Sequence, residues 1–204
     1  MIHPYFLVRA LFTAEQRNLL MPGVEGAAFS RARIPLQESL SNTRVLDPIN
    51  RVSYLEARCY LLNTLLRVSD VMSMAHGLEL RVPLIDHQLA DKLLAMPGSW
   101  KLDDNVPKPL LVGALKGALP EQIVHRKKRG FTLPLEHWLR EDLRPEVGAA
   151  LQRIGQGPLG LVLNQKSALQ IWDDFLNNRT PWSRAWSLYV LERWCELNSI
   201  SAGK

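Results

Sequence analysis

Ser69–His87, SDVMSMAHGLELRVPLIDH, is the stretch whose reading decides the fold. Asp70 is a short oxygen side chain ahead of Met72, Met74, Ala75 and Leu78, a mostly apolar set that reads as a helix capped at Asp70 and ended or bent at Gly77. Leu78 to Ile85 then sets Glu79 and Arg81 in an otherwise apolar run. A charge persists in such a run only when something satisfies it, so the two are expected to pair with each other or with neighbours. Pro83 holds Val82 extended and withdraws a donor, which takes the chain out of the helix. Asp86 then caps a further helix that begins near His87 and runs through Leu89, Leu93 and Leu94 to the Pro97-Gly98 stop.

The same helical habit extends outward in both directions. Leu55, Cys59, Leu62, Leu65 and Leu66 recur at helical spacing, which predicts an amphipathic helix over 53–67 with its apolar face in the core. Before it, 22–50 is rich in Gly, Ser, Pro and Arg and reads as an irregular connection, with one short helix near 36–40. Residues 5–21 read as a strand or loop and then a helix opened by the capping box Thr13-Ala-Glu-Gln, with Leu19 and Leu20 on its apolar side. Downstream, Trp100 is expected to pack beneath the turn at Gly98. Pro109 begins a helix ending near Leu119, and Pro120 begins another toward His125. Leu135, Trp138 and Leu139 mark a short helix, 155–160 a plain turn, and 165–177 and 181–197 two helices. The aromatics Trp172, Phe175, Trp182, Trp186 and Trp194 fall at core-facing intervals of that pair. With almost no alternating segment, the fold class is all-α, mainly helical, in one domain or fragment over 1–204.

The 204 residues carry 25 basic against 20 acidic side chains, a net +5 that suits an anionic ligand and is too mild to indicate nucleic acid. A hydrophobic share of 47% with 22% charged residues is that of a folded globular chain. Cys59 and Cys195 match no metal-ligand spacing, which excludes a disulfide framework or a zinc site and fits a cytoplasmic protein. The N-terminal MIHPYFLVRALF lacks both a basic leader and the length of a membrane span. His125-Arg-Lys-Lys-Arg-Gly-Phe131 breaks the helical habit with a dense positive cluster. Such a run is either a solvated face or, with Gly130 freeing the backbone and Phe131 as anchor, a loop held over a phosphate.

Met-Ser-Met-Ala-His-Gly-Leu-Glu-Leu-Arg-Val-Pro-Leu-Ile-Asp-His at 72–87 closely resembles a signature of the synthetase domain of glutamine-hydrolysing asparagine synthetases. Tyr60-Leu-Leu through Asp70, Lys108-Pro-Leu-Leu and Arg126-Lys-Lys-Arg-Gly-Phe-Thr-Leu-Pro134 extend the resemblance over about 50–140, with a weaker echo in Pro4-Tyr-Phe-Leu-Val-Arg. The resemblance implies an N-terminal glutaminase with a cysteine nucleophile, followed by an α/β adenine-nucleotide alpha-hydrolase-like synthetase domain with a pyrophosphate loop. Here Ile2 follows Met1, and Ser-Gly-Gly-x-Asp-Ser occurs nowhere. The expectation is therefore the C-terminal helical portion of that domain, lacking most of the sheet, a piece of a longer enzyme or a truncated relative, and inactive alone. The implied parent uses ATP and Mg2+ to convert aspartate to an acyl adenylate that ammonia from glutamine resolves, and no tight cofactor is expected on this chain.

By the same resemblance Lys128 stabilises departing pyrophosphate, with Lys127 as its neighbour. Asp70, Glu79, Arg81, Asp86, Lys108, Arg126 and Gly130 would shape the site. Val71 stands where many members carry a basic residue, which leaves a different carboxylate acceptor open. A non-catalytic helical interaction module is the competing reading, and a homodimer is admitted.

Overall fold

The structure is a computed structural model that describes residues 4–24, 40–127, 130, 133–198 and 200. It divides into two compact units, one formed by Met1–Ala28 with Gly130–Lys204 and the other by Phe29–Arg129. No strand occurs among the described residues.

The first unit holds the apolar core. Its helices are α1 (Pro4–Arg9) and α2 (Ala14–Leu20) at the start of the chain, then α8 (Leu135–Arg140), α9 (Arg144–Arg153), α10 (Gln165–Leu176) and α11 (Trp182–Leu197). Pro4 opens a helix where the sequence reads as strand or loop, because proline's fixed φ suits a first helical position. The Thr13 box forms as expected: Thr13 Oγ1 accepts from Gln16 N at 3.2 Å and Gln16 Oε1 from Thr13 N at 3.0 Å. Leu20 is buried, whereas Leu19 turns outward.

Leu139, Val147, Leu151, Ile154, Ala168, Phe175 and Ala185 have no accessible surface and interlock α8 to α11. The aromatic stripe is largely core, as its spacing predicts. Trp172 is buried against Phe175 at 5.5 Å, and Trp182 and Trp186 pack on the cluster, but Trp194 is exposed. The turn at 155–160 is more than a plain turn. Pro158–Leu161 forms a short 3₁₀ helix that buries Leu159, and a Cβ on Gly160 would stand 2.9 Å from the Gly155 carbonyl oxygen.

Polar ties close this unit. Asn164 N donates to the Leu20 carbonyl at 2.7 Å and Ser167 Oγ to that of Leu19 at 2.9 Å, so the end of α2 is satisfied by the start of α10. The far end of α10 is held by Arg140. Its guanidinium donates to the carbonyls of Phe175 and Leu176 at 2.9 Å each and to Asn178 Oδ1 at 2.7 Å, and lies 4.4 Å over the Phe175 ring. A cation placed there complements the negative end of the helix dipole. Asn178 sits at φ +58 as the left-handed cap, with Arg179 N reaching back to Asp174 O.

The second unit contains α3 (Pro48–Leu55), a π-helical stretch Glu56–Leu66 and α4 (Arg67–Met74), which form one continuous helical rod. A 3₁₀ turn at Pro83–Ile85 leads to α5 (His87–Ala95), a second at Gly98–Lys101 follows, and α6 (Pro109–Ala114) and α7 (Glu121–Val124) end the unit. The rod starts at Pro48, five residues earlier than the periodicity predicts. Asp47 caps it, accepting from Ile49 N and Asn50 N at 3.0 Å each. The irregular stretch therefore ends before Asn50, and the short helix expected over 36–40 lies in its greater part outside the described residues.

The predicted core face of 53–67 forms only at its start, where Leu55 is buried and Cys59 half-buried. Leu62 and Leu65 are exposed, since i→i+5 bonding rotates residues away from a 3.6-residue stripe. α6 stops at Ala114 rather than Leu119, because Lys116 (φ +44) and Gly117 (φ +80) leave the helical region. Trp100 is not beneath its turn but 61% exposed.

Asp47 organises this unit beyond its cap. Its carboxylate also accepts from Asn50 Nδ2 at 2.7 Å and Gly98 N at 3.1 Å, while buried Asn50 donates to Met96 O at 2.9 Å and accepts from Lys101. Gly98 is obligatory here, as a Cβ would collide with Asp47 and lie 2.6 Å from Ile49 Cβ. The Asn50 N–H, opposed by partial burial and aided by the Gly98 and Ile49 N–H groups, holds the Asp47 carboxyl below the usual carboxylate range.

Two outcomes are expected. Phe175→Ala leaves a cavity in the core and costs about 3–5 kcal/mol, while Trp194→Ala stays within about 1 kcal/mol, both read by tryptophan fluorescence in urea. That signal reports chiefly the first unit, which carries five of the six tryptophans, Trp100 lying in the second. Because Asp47 ionises more readily when folded, its stabilisation is complete above its unfolded pKa of about 4 and is lost as pH falls through the lower folded value. Asp47→Ala should flatten that acid limb in the exchange of the Asn50 and Gly98 amides.

Candidate functional site

The signature segment is a helix end, a loop and a helix start. Gly77 ends α4 as expected. At φ +67 it lets Leu78 N donate to Ser73 O and Gly77 N to Met74 O, both at 3.0 Å, in the paired arrangement that closes helix C-termini. A side chain at this position meets no atom but would be strained by the backbone. Asp86 caps α5, accepting from Gln88 N at 2.9 Å and Leu89 N at 3.1 Å, and its second oxygen stands 3.9 Å from His87 Nδ1. Glu79 and Arg81 pair at 2.9 Å, as their juxtaposition requires.

Two expectations fail here. Asp70 is not a cap. It lies in the interior of the continuous rod that Asp47 begins, exposed, with its carbonyl accepting from Ser73 Oγ at 3.1 Å. The run around Glu79 and Arg81 is not buried either: Leu78 is 64% and Leu84 68% exposed, and Leu80 and Val82 are open as well. The pair is thus solvated and contributes at most about 1 kcal/mol.

Lys108 adopts φ +57 immediately before Pro109, and its carbonyl accepts from Leu111 N and Val112 N at 3.0 and 3.1 Å to start α6. A lysine held in the left-handed region costs on the order of 1–3 kcal/mol, against which its carbonyl gains the two bonds that open the helix. Arg126, Lys127 and Gly130 are exposed, and His125 preceding them pairs with Glu121 at 3.0 Å. Lys128 lies outside the described residues. Among the described residues no hydrogen bond or ion pair joins Asp70, the Glu79–Arg81 pair, Asp86, Lys108, Arg126 and Lys127 into one cluster. Nor do three His, Cys, Asp or Glu side chains gather as a metal site among them. Cys59 is half-buried, and that burial, against the opposing charge of Arg58, pushes its thiol up.

Asp47, Asn50 and Lys101 have no role in the sequence reading, and Gly98 enters it only as a helix stop and turn. Asp47-Pro48 is a legible signal, an N-cap followed by proline at the first helical position, but the Asn50 bond across 46 residues to Met96 has no local sign. Elsewhere, a cleft of about 390 Å³ in the first unit is bordered by Arg153, Glu192, Glu196 and the buried Cys195. Its charges satisfy one another, with Arg153 at 3.1 Å from Glu192 and 3.5 Å from Glu196.

A helix, a glycine-closed loop and an Asp-capped helix carry the 72–87 signature. The chain belongs to the asparagine synthase family, whose family model, Asparagine synthase, matches residues 7–196. It is 29% identical over 151 residues to asparagine synthetase [glutamine-hydrolyzing] 1 of Bacillus subtilis, covering 74% of this chain and 23% of that protein. A second B. subtilis protein, asparagine synthetase [glutamine-hydrolyzing] 3, is 38% identical over 101 residues, or 47% of this chain and 16% of the relative. The asparagine synthetase [glutamine-hydrolyzing] of Rattus norvegicus is 36% identical over 67 residues, 31% of this chain and 12% of the relative. The chain therefore spans less than a quarter of the length of these curated relatives. No solved structure matches it significantly.

Asp86→Ala is expected to cost about 1 kcal/mol, seen as faster exchange of the Gln88 and Leu89 amides, whereas Glu79→Gln should leave exchange in the segment within a few tenths of a kcal/mol.

Proposed function

We propose that this chain is the C-terminal part of the synthetase portion of an ATP-dependent, glutamine-dependent amidotransferase that makes asparagine from aspartate. The observation that carries the reading is the 72–87 signature within a family match over 7–196. In the reaction proposed, the aspartate side-chain carboxylate attacks the α-phosphate of ATP, pyrophosphate leaves, and ammonia from glutamine then displaces AMP. Negative charge accumulates on the departing pyrophosphate, and a fixed cation beside it stabilises the transition state more than the ground state. Lys128 takes that role, Gly130 giving the loop its freedom, with Arg126 and Lys127 raising the local positive potential.

Asp86 and Gly77 fix the helix ends on either side of the signature loop, and the Glu79–Arg81 pair keeps that loop neutral. Mg2+ would supply further charge neutralisation on ATP. The described residues offer no cluster of three His, Cys, Asp or Glu side chains to hold it. Phosphates also require backbone N–H groups converging at a helix start, and the sequence contains no pyrophosphate-loop pattern to provide them. The isolated chain is accordingly inactive in this reading.

Calorimetric titration of the isolated chain with Mg-ATP should show no micromolar binding; such binding would move the nucleotide site into this chain. In the complete enzyme, Lys128→Ala should lower pyrophosphate release by at least about a hundredfold, near 3 kcal/mol, while glutamine hydrolysis survives. Lys127→Ala serves as the comparison and should cost little. Equal, small losses for both would return the basic loop to a charged surface.

A further inference from the structure

In the second unit the rod over 48–74 and α5 are joined twice. The signature loop joins them at one end, and at the other a polar cluster brings together residues fifty-one apart in sequence. Asn50 is the centre of that cluster and is buried. Both of its amide hydrogens are in use, one on Asp47 Oδ2 at 2.7 Å and one on the Met96 carbonyl at 2.9 Å, and its oxygen accepts from Lys101 Nζ. Asp47 takes the Gly98 N–H as well, at 3.1 Å. The neutral amide thus stands between an anion and a cation. A buried polar side chain satisfied in full rigidifies its surroundings and specifies one geometry.

That specification matters here because apolar packing is slight: among the described residues of this unit Leu55 is the buried apolar side chain. Met96 directly follows α5. The helix, nine residues and about 13 Å long, carries any shift at Met96 to its other end, where Asp86 closes the signature. We infer that Asn50 is a positioning residue for the signature segment, setting through the Met96 carbonyl and the Asp47 carboxylate the angle between α5 and the rod, and so the place of the loop that joins them. Its own side chain is occupied by Asp47, Met96 and Lys101, so it acts through the segment and not on substrate. The inference rests on the functional reading above and adds to it a residue outside the 72–87 signature. Misplacing a reacting geometry by about 1 Å can cost on the order of a hundredfold in rate.

The test measures the distance between spin labels at Val71→Cys and Gln88→Cys, exposed positions on either side of the loop, in the full 204-residue chain carrying Cys59→Ser, Cys195 being buried. The parent and Lys101→Arg, which keeps a donor for Asn50, should each give one narrow distance. Asn50→Leu should widen the distribution at least about twofold while the urea transition of the first unit stays in place. In the complete enzyme Asn50→Leu should lower kcat for pyrophosphate release at least about tenfold with KM for ATP and aspartate within about twofold, and Lys101→Arg should keep the parental kcat. Lys101→Met, which removes only the donor to Asn50 Oδ1, should move both readouts the same way by less and serves where Asn50→Leu does not fold. A parental width in both Asn50→Leu and Lys101→Met, or a widened distance with parental kcat, would overturn the inference. A widened distance in a protein whose complete parental form makes no asparagine keeps the positioning of the segment by Asn50 and removes the functional reading.

Discussion

The Asp47 carboxylate is the constraint on which the second unit depends. Its two oxygens take the N–H groups of Ile49, Asn50 and Gly98 and the side-chain amide of Asn50, joining the start of one helical rod to a turn fifty-one residues away. In a unit with so little apolar interior, directional bonds to an ionised oxygen supply the specificity that packing gives elsewhere. The first unit is built on the opposite principle. There the side chains of α8 to α11 interlock in an apolar interior, and Arg140 and Asn164 satisfy the helix ends around it.

This difference bears on the signature segment. Its sequence is rich in apolar residues, yet its backbone is fixed by caps: Asp86 at one end, the Gly77 closure at the other, and the Glu79–Arg81 pair between. Those devices are local, so the segment keeps its geometry without a buried face.

Local chemistry was what the sequence made legible. The capping box at Thr13, the stop at Gly77, the cap at Asp86 and the helices over Gln165–Leu176 and Trp182–Leu197 all follow from short-range rules, and each is present. What the pattern misjudged was solvent exposure. Leu62, Leu65, Leu78 and Trp100 have the spacing or neighbourhood of core residues and are open, since periodicity says which residues share a face and not whether anything covers it. The Asn50–Met96 bond was invisible for a related reason, being a product of tertiary approach. The family signature, by contrast, was readable as order of residues, although the lysine it points to at 128 lies outside the described structure.

The π-helical stretch Glu56–Leu66 sets the angular phase of everything after it on the rod. Each of its turns holds more residues than an α-turn, so α4 leaves the stretch facing a direction that straight α-helical continuation from α3 would not give. Asn63 holds the wider winding by donating to the carbonyls of Arg58 and Cys59 at 3.0 and 2.9 Å. A single residue gained or lost within this stretch would therefore not merely lengthen or shorten the rod. It would swing Asp70 and the loop beyond it around the helix axis, so the eleven residues act as a fixed angular offset between the Asp47 anchor and the segment that carries the family's signature.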